Sequence, residues 1–166
     1  MSEHAAFSAG ALLRALIDGG VDFVVIGGLA AQAHGSPLIT EDLDICFDLD
    51  RENLDRLAEV LQDLAAVRRG MPDGVRAPLD RGALRAGDVF TLRTRFGDLD
   101  LLARPDPGLD YQKLRAHAVR FEFEGLPVWI ADLDDVIAMK RAAGRPKDLL
   151  AIEHLAALRE ELDRES

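Results

Sequence analysis

The residues best placed to do chemistry are two aspartates in an otherwise apolar segment, Asp42 and Asp44. Leu43 and Ile45 alternate with them, which is the period of a strand, so both carboxylates should lie on one face with Cα atoms roughly 6.6 Å apart. Carboxylates at that spacing can hold the pair of divalent cations that phosphoryl-transfer sites place about 3.5–4 Å apart. The pattern therefore predicts a metal site on this strand.

A second segment repeats this alternation further along the chain. Asp98 and Asp100 alternate with Leu99 and Leu101, so a third carboxylate can converge on the first pair. Spacing alone does not choose between the two aspartates, since they share a face. Crowded carboxylates raise one another's pKa unless a cation neutralises them, and oxygen ligands suit Mg²⁺ or Mn²⁺. We therefore expect a divalent metal cofactor.

A pair of glycines, Gly27 and Gly28, follows the short apolar segment 22–26 and is separated from Asp42 by thirteen residues. Residues without a Cβ let backbone amides approach a phosphate at a helix start, where the dipole favours an anion. A triphosphate is expected there. A dinucleotide-binding unit is the alternative for such a segment, but G-x-G-x-x-G is absent and a buried parallel strand should not carry two aspartates.

The elements that must position these residues are both helices and strands. Apolar periodicity and capping residues predict helices over 8–18, 51–67, 136–143 and 147–162, the first capped by Ser8 and the third by Asp132. Strands are predicted over 22–26, 43–47, 89–95, 99–103, 119–123 and 128–130, with residues 71–87 as a loop region. This order predicts an α+β fold with a mixed or mostly antiparallel sheet flanked by helices and a C-terminal helical hairpin.

Composition predicts one domain over residues 1–166, with its core at 21–130 and C-terminal helices at 132–163. The single cysteine, Cys46, and the lack of a signal sequence or a long apolar run predict a cytoplasmic protein without a membrane span. The net charge of −10 argues against bulk DNA binding.

Arginine is nevertheless in excess over aspartate between residues 68 and 95. The charged residues there are Arg68, Arg69, Arg76, Arg81, Arg85, Arg93 and Arg95, against Asp73, Asp80 and Asp88. This stretch is either a solvated loop region or a landing surface for a phosphate-bearing substrate.

Taken together, hydrophobic-Gly-Gly, a spacer, Asp-hydrophobic-Asp and a later strand aspartate resemble the signature of the DNA polymerase beta-type nucleotidyltransferase superfamily. The resemblance extends to small bacterial nucleotidyltransferases related to the AbiEii toxins of toxin–antitoxin systems. The matching residues are Gly27-Gly28, His34-Gly35, Thr40, Asp42-Leu43-Asp44, Gly97-Asp98-Leu99-Asp100, Lys140 and Arg145-Pro146-Lys147-Asp148.

This resemblance implies the nucleotidyltransferase fold and metal-dependent transfer of a nucleoside monophosphate from a nucleoside triphosphate to an acceptor hydroxyl. The acceptor would be a protein side chain or an RNA end, and a toxin or antitoxin protein is a possible partner. The implied catalytic and metal-binding residues are Asp42, Asp44 and Asp100, and the implied nucleotide-binding residues are Gly27, Gly28, Thr40 and Lys140. The resemblance favours Asp100 over Asp98, which becomes a turn residue.

One position departs from the family pattern, because Leu38 stands where the family usually has an arginine. If that arginine helps to hold phosphate, activity could be weakened or lost. The alternative function is then a catalytically weak or inactive nucleotidyltransferase-like scaffold that binds a partner toxin or antitoxin protein. Transfer to a small molecule such as an aminoglycoside is a third possibility, for which the sequence carries no acceptor-site signature.

Other polar residues near these motifs have structural interpretations. His34 is expected at a helix end or in the core, and Cys46 is expected to be inert. The stem of Lys140 lies on an apolar helix stripe, so its ammonium either reaches solvent or meets an anion. Arg145 and Asp148 are expected to form a structural ion pair near the site.

Overall fold

The computed structural model describes residues 6–72, 74–75 and 77–166, so Asp73 and Arg76 of the arginine-rich stretch lie outside the described residues. The strands are β1 (Phe23–Ile26), β2 (Asp42–Phe47), β3 (Val67–Arg68), β4 (Val89–Thr94), β5 (Gly97–Leu102), β6 (Val119–Phe123) and β7 (Leu126–Ile130). The helices are α1 (Ala9–Asp18), α2 (Gly27–Ala33), α3 (Arg51–Asp63), α4 (Arg81–Ala86), α5 (Tyr111–His117), α6 (Leu133–Ala143) and α7 (Pro146–Glu165).

The strands form one mixed sheet in the order β3-β4-β5-β2-β1-β7-β6. Strand β2 is antiparallel to β1 and parallel to β5, β1 is parallel to β7, and the remaining neighbours are antiparallel. The predicted α+β fold with a mixed, mostly antiparallel sheet is confirmed. In the parallel pair Asp42 lies opposite Asp98 and Asp44 opposite Asp100, so the acidic positions of two strands share one register.

The inner strand β1 is buried at all four positions, which explains why its sequence is continuously apolar rather than alternating. Helix α1 packs Leu12, Leu13 and Leu16 into the core and is capped by the Ser8 hydroxyl, which accepts from the amide of Ala11. These buried side chains pack α1 against β2, β7 and α3.

The predicted C-terminal helical hairpin is also confirmed. The Asp132 side chain caps α6 by accepting from the amide of Asp135, and Gly144 ends that helix in the left-handed conformation with φ 65°. Pro146 then occupies the first turn of α7, where its missing N–H leaves no hydrogen bond unmade. None of the helices in the described residues is long and apolar enough to cross a membrane.

Two local predictions were wrong, and one helix was not predicted. The helix predicted over 51–67 ends at Asp63, because Ala65 takes a left-handed φ of 52° and the chain turns into β3. Helix α4, capped by Asp80, lies inside the predicted loop region, and α5 was not predicted. Each of these short helices buries one leucine, Leu84 or Leu114, which is too little apolar periodicity to be detected.

Candidate active site

Three carboxylates converge where β2 and β5 lie side by side. One oxygen each from Asp42, Asp44 and Asp100 lies within 4.8 Å of the others. The parallel register explains this, because it places Asp44 beside Asp100 on the face that Asp42 shares. We call these three residues the acidic cluster; such a group of oxygen ligands could bind a metal ion.

Asp98 lies in β5 rather than in a turn, so its predicted turn position was wrong. The hairpin turn is made by Arg95 and Phe96, and the strand resumes at Gly97 with φ 105°. The side chain of Asp98 is 41 % exposed and lies 3.5 Å from Nη1 of Arg69, outside the acidic cluster. Of the two aspartates that spacing alone left open, Asp100 is the one that lies in the acidic cluster, and its role there stays a prediction.

The acidic cluster is electrostatically costly in the absence of a cation. Burial, followed by the charges of Asp42 and Asp100, raises the pKa of Asp44 to about 8. Burial also raises the pKa of Asp100, although the charge of Arg69 opposes that rise. In both carboxyl groups the raised pKa means that the ionised form is disfavoured in the folded chain. A bound cation would favour the ionised form instead.

Oδ1 of Asp100 is buried and accepts no hydrogen bond within the described residues. Nη2 of Arg69 lies 2.9 Å from this oxygen, a close charge contact that lacks the alignment of a hydrogen bond. A buried carboxylate oxygen is normally satisfied, so this one fits the coordination of a divalent ion. The acidic cluster thus offers oxygen ligands of the kind that a hard divalent cation prefers.

The glycine pair is required by the close approach of β2. Gly27 has φ 68°, a left-handed value, and a Cβ placed on it would collide with the carboxylate of Asp44. A Cβ on Gly28 would lie 2.8 Å from Oγ1 of Thr40. The turn from β1 into α2 therefore runs directly against the acidic cluster, and only residues without side chains fit there.

Thr40 contacts the acidic cluster from the segment before β2. Its Oγ1 lies 2.9 Å from Oδ1 of Asp42 and 3.0 Å from the Asp42 carbonyl oxygen, so the hydroxyl can donate to either. Its observed contact is thus to a carboxylate, and it fixes the orientation of Asp42. Its predicted contact to a nucleotide stays a prediction.

Lys140 belongs to an ion cluster around the buried carboxylate of Asp148, at the junction of α6 and α7. Asp148 is buried and accepts from Nε of Arg145 at 2.6 Å, while Nζ of Lys140 lies 3.7 Å from its other oxygen. Burial raises the pKa of Asp148, but the hydrogen bond and charge of Arg145 outweigh this and hold it below its usual range. Lys140 therefore meets an anion, and the expected Arg145–Asp148 ion pair is present.

This ion cluster is near the acidic cluster. The pKa of Asp44, raised by burial and by its carboxylate neighbours, is lowered in part by the charge of Arg145. The C-terminal hairpin thus brings a cation toward the carboxylates, although it contributes none of the three.

Arg69 is the residue at the site that the sequence did not single out. It follows β3, donates from Nη1 to the carbonyl of Leu92 at 3.0 Å, and faces Asp98 and Asp100. The only sequence feature that pointed to Arg69 was the local arginine excess. That excess does not distinguish Arg69 from arginines with structural contacts, such as Arg81, which pairs with Asp55.

Two residues adopt the structural roles expected of them. Nε2 of His34 lies 2.8 Å from the carbonyl oxygen of Ala131, so the ring ties the end of α2 to the strand end after β7. Cys46 is buried, and burial raises the pKa of its thiol to about 12, which leaves it protonated and unreactive.

The fold is that of nucleotidyltransferases of known structure. The chain is similar to the lincosamide adenylyltransferase LnuA in its lincomycin-bound crystal structure, with a TM-score of 0.60 and 14% identity over 92% of this chain and 99% of that chain. It is similar to ANT(2")-Ia in complex with adenylyl-2"-tobramycin, with a TM-score of 0.55 and 15% identity over 93% and 95% of the two chains.

An antigenic nucleotidyltransferase-like protein from Paracoccidioides brasiliensis is also similar, with a TM-score of 0.53 and 18% identity over 89% of this chain and 72% of that chain. The sequence matches no protein-family model and has no significant match among curated proteins. At such identities the likeness establishes the fold, and the function must be argued from the site.

Proposed function

We propose that this chain is a metal-dependent nucleotidyltransferase that moves a nucleoside monophosphate from a nucleoside triphosphate to an acceptor hydroxyl. The observation that carries the proposal is the convergence of Asp42, Asp44 and Asp100 against the Gly27-Gly28 turn. Its occurrence on a nucleotidyltransferase fold supports the same reaction class. In this proposal one domain over residues 1–166 acts in the cytoplasm.

Each group has a defined task in this reaction. Asp42, Asp44 and Asp100 would hold Mg²⁺ or Mn²⁺, which would stabilise the charge on the attacking and leaving oxygens. Asp100 also orients the acceptor hydroxyl or takes its proton. The acceptor oxygen forms a bond to the α-phosphorus, the bond to the bridging oxygen breaks, and pyrophosphate leaves.

The remaining predicted residues position the substrate and the acidic cluster. The backbone amides of Gly27 and Gly28 face the phosphates at the start of α2, and Thr40 holds Asp42 in place while contacting the nucleotide. Lys140 supplies positive charge for the phosphates from the ion cluster with Asp148. Catalysis of this kind depends on positioning and preorganised charge more than on a reactive nucleophile.

The acceptor is proposed to be a hydroxyl of a protein side chain or an RNA end, within a toxin–antitoxin system, on the resemblance to AbiEii-like proteins. A small hydroxylated molecule is the second candidate. It is favoured by the match over 99% of LnuA, whose structure contains lincomycin, and by ANT(2")-Ia with its adenylyl-2"-tobramycin.

The non-catalytic scaffold remains the alternative because of Leu38. This residue is half-buried and its carbonyl oxygen accepts from Nε2 of Gln32 at 2.7 Å, so its backbone is fixed in the loop before Thr40. A leucine there supplies no charge for phosphate. Under this alternative the carboxylates persist while turnover is lost and a partner protein is bound.

The test is transfer of label from α-labelled nucleoside triphosphates with Mg²⁺ or Mn²⁺. Acceptors are a lysate of the source cells, lincomycin and tobramycin, each in a separate reaction. We expect label on one acceptor class, lost with Asp42→Ala or Asp100→Ala. Asp98→Asn is the matched control, because it changes an aspartate on the same strand face outside the acidic cluster. Triphosphate binding without labelling in any reaction would favour the scaffold.

A further inference from the structure

Strand β6 is an open edge of the sheet. It is the last strand in the order, and its residues are exposed from Val119 to Glu122 and half-buried only at Phe123. The opposite edge, β3, has only two residues, Val67 and Arg68. A short edge strand offers little backbone for pairing, whereas five extended residues with exposed apolar side chains are a template for another strand.

The hairpin turn fixes which backbone groups of β6 face outward. Glu124 and Gly125 form a two-residue loop with φ 49° and 80°, closed by the pair Phe123 and Leu126. In such hairpins the closing pair is hydrogen-bonded, and hydrogen-bonded pairs then alternate along the ladder. Phe121 therefore bonds inward to β7, while Arg120 and Glu122 present their N–H and C=O groups to the open edge.

The side chains of β6 divide by chemistry. Phe121 lies opposite Val128 in the ladder and shares its face, where an apolar cavity of about 130 Å³ is lined by Leu29, Phe121, Phe123, Val128 and Ile130. Phe121 is 37% exposed and Val119 is 41% exposed. Arg120 and Glu122 lie on the other face, and neither forms an ion pair within the described residues.

We propose that two copies of this chain pair through β6, antiparallel, about a two-fold axis at Phe121. In that register Arg120 of each copy lies opposite Glu122 of the other, giving two ion pairs and four backbone hydrogen bonds from the outward-facing groups. Phe121 then meets Phe121 of the second copy as a close, non-hydrogen-bonded pair, which continues the apolar face.

The sequence of β6 selects this register over its neighbours. A shift that preserves outward hydrogen bonding places Arg120 opposite Arg120, or Glu122 opposite Glu122, and like charges directly opposite are destabilising. The remaining register shifts pair residues whose N–H and C=O groups face β7 with residues whose groups face the open edge, so the backbone hydrogen bonds between the copies cannot form. The strand is thus complementary to itself in one register, which identifies a second copy as the partner.

Pairing through β6 joins the two sheets and leaves both acidic clusters accessible. Strand β2 is separated from β6 by β1 and β7, so these two strands lie about 14 Å apart at the usual strand spacing, and the interface lies beyond β6. Because one short strand covers little area, we expect a dissociation constant on the order of micromolar.

The test is the mass of the full chain in solution, measured by sedimentation equilibrium up to about one hundred micromolar so as to exceed that dissociation constant. Wild type should be a dimer at the upper concentrations. Arg120→Glu and Glu122→Arg should each weaken dimerisation about tenfold or more, because each converts two attractive pairs into two repulsive ones. The double variant R120E/E122R restores attraction and should dimerise like wild type.

An equimolar mixture of the two single variants should form heterodimers, since each supplies the charges that the other lacks. Arg51→Glu, an exposed charge reversal at the start of α3, is the matched control and should dimerise like wild type. Circular dichroism and thermal melting confirm that each variant is folded. A monomeric wild type, or single variants that dimerise as well as wild type, would overturn the proposal, as would a double variant that stays monomeric.

Discussion

At the residue scale, the site brings three carboxyl groups close together, with few cations nearby to favour their ionised forms. Arg69 contacts Asp100, and the charge of Arg145 acts on Asp44, yet the pKa of both carboxyl groups is still raised, chiefly by burial. Unsatisfied negative charge in a folded protein is a reason to bind a cation. We therefore expect the acidic cluster to lower the free energy of unfolding of the metal-free chain, and a bound metal to raise it.

This expectation makes the stability of the metal-free protein depend on pH in a defined direction. The pKa of Asp44 is about 8 in the folded chain, above the ordinary value of 3.8. The folded state therefore binds this proton more tightly than the unfolded state. The stability contributed by the protonated group is fully present below the ordinary pKa and is lost as pH rises from about 4 to about 8.

The variant Asp44→Asn should isolate this effect, because the other carboxyl groups titrate in both proteins. In a chelator, its free energy of unfolding should exceed that of wild type by about 1 kcal/mol or more near pH 8 and by less near pH 5. Urea unfolding at both pH values measures the difference. If Asp44→Asn is less stable than wild type at both, Asp44 is a structural hydrogen-bonding residue.

At the scale of elements, the Gly27-Gly28 turn couples the end of β1 to the carboxylates of β2. Ala at position 27 must take a left-handed φ and also displace the Asp44 carboxylate, so Gly27→Ala should destabilise the chain and weaken Mn²⁺ binding. Gly125→Ala is the matched control, because Gly125 has φ 80° with no atom near its missing Cβ. Gly125→Ala should lower the free energy of unfolding only by the strain of a left-handed φ at alanine, about 1–2 kcal/mol.

Urea unfolding and calorimetric Mn²⁺ titration of both variants separate the two contributions. We expect Gly125→Ala to bind Mn²⁺ like wild type and Gly27→Ala to bind it at least about tenfold more weakly. Equal Mn²⁺ affinities in the two variants would mean that the turn does not constrain the acidic cluster.

The sequence predicted those elements whose residues carry a strong local pattern. Apolar runs and caps located β1, α1 and the C-terminal hairpin, and the alternation of aspartate with leucine or isoleucine located the acidic strands. The contact of Arg69 with Asp100 was not predictable, because it depends on β3 pairing with β4 next to β5. Pairing between strands distant in sequence leaves no periodicity in either one.

The same reason accounts for what the sequence left open within the site. Asp98 and Asp100 share a strand face, and the register of β5 against β2 places them beside Asp42 and Asp44 respectively. Only the positions of the side chains leave Asp98 outside the acidic cluster. The sequence did not predict whether Lys140 contacts solvent or an anion. In the structure the turn at Gly144 places Asp148 next to Lys140. The residue types and their spacing identified these residues as candidates, whereas their neighbours depend on contacts between distant parts of the chain.

At the scale of the whole molecule, the net charge of −10 opposes the approach of a triphosphate. The acidic cluster adds to that repulsion locally, so triphosphate and metal should bind as a unit. This coupling is a property of the charge distribution and is expected even if turnover is lost. It can therefore be measured without knowing the acceptor.

Thermal unfolding should report this coupling directly. Ligands that bind only the folded state stabilise it by about 2.7 kcal/mol at one hundred times their dissociation constant. For a chain of this size that corresponds to a rise in Tm of about 5 °C or more. We expect such a rise with a nucleoside triphosphate and Mg²⁺ together, and little or none with the triphosphate in a chelator.

Two comparisons decide whether that rise comes from the acidic cluster. Asp42→Asn should abolish it, because this substitution removes a carboxylate ligand while the amide can still accept from Thr40. NAD with Mg²⁺ should produce a smaller rise than the triphosphate, since the glycine turn lacks the pattern of a dinucleotide-binding loop. An equal rise with a chelator present, or in Asp42→Asn, would show that the nucleotide binds without the metal and away from these carboxylates.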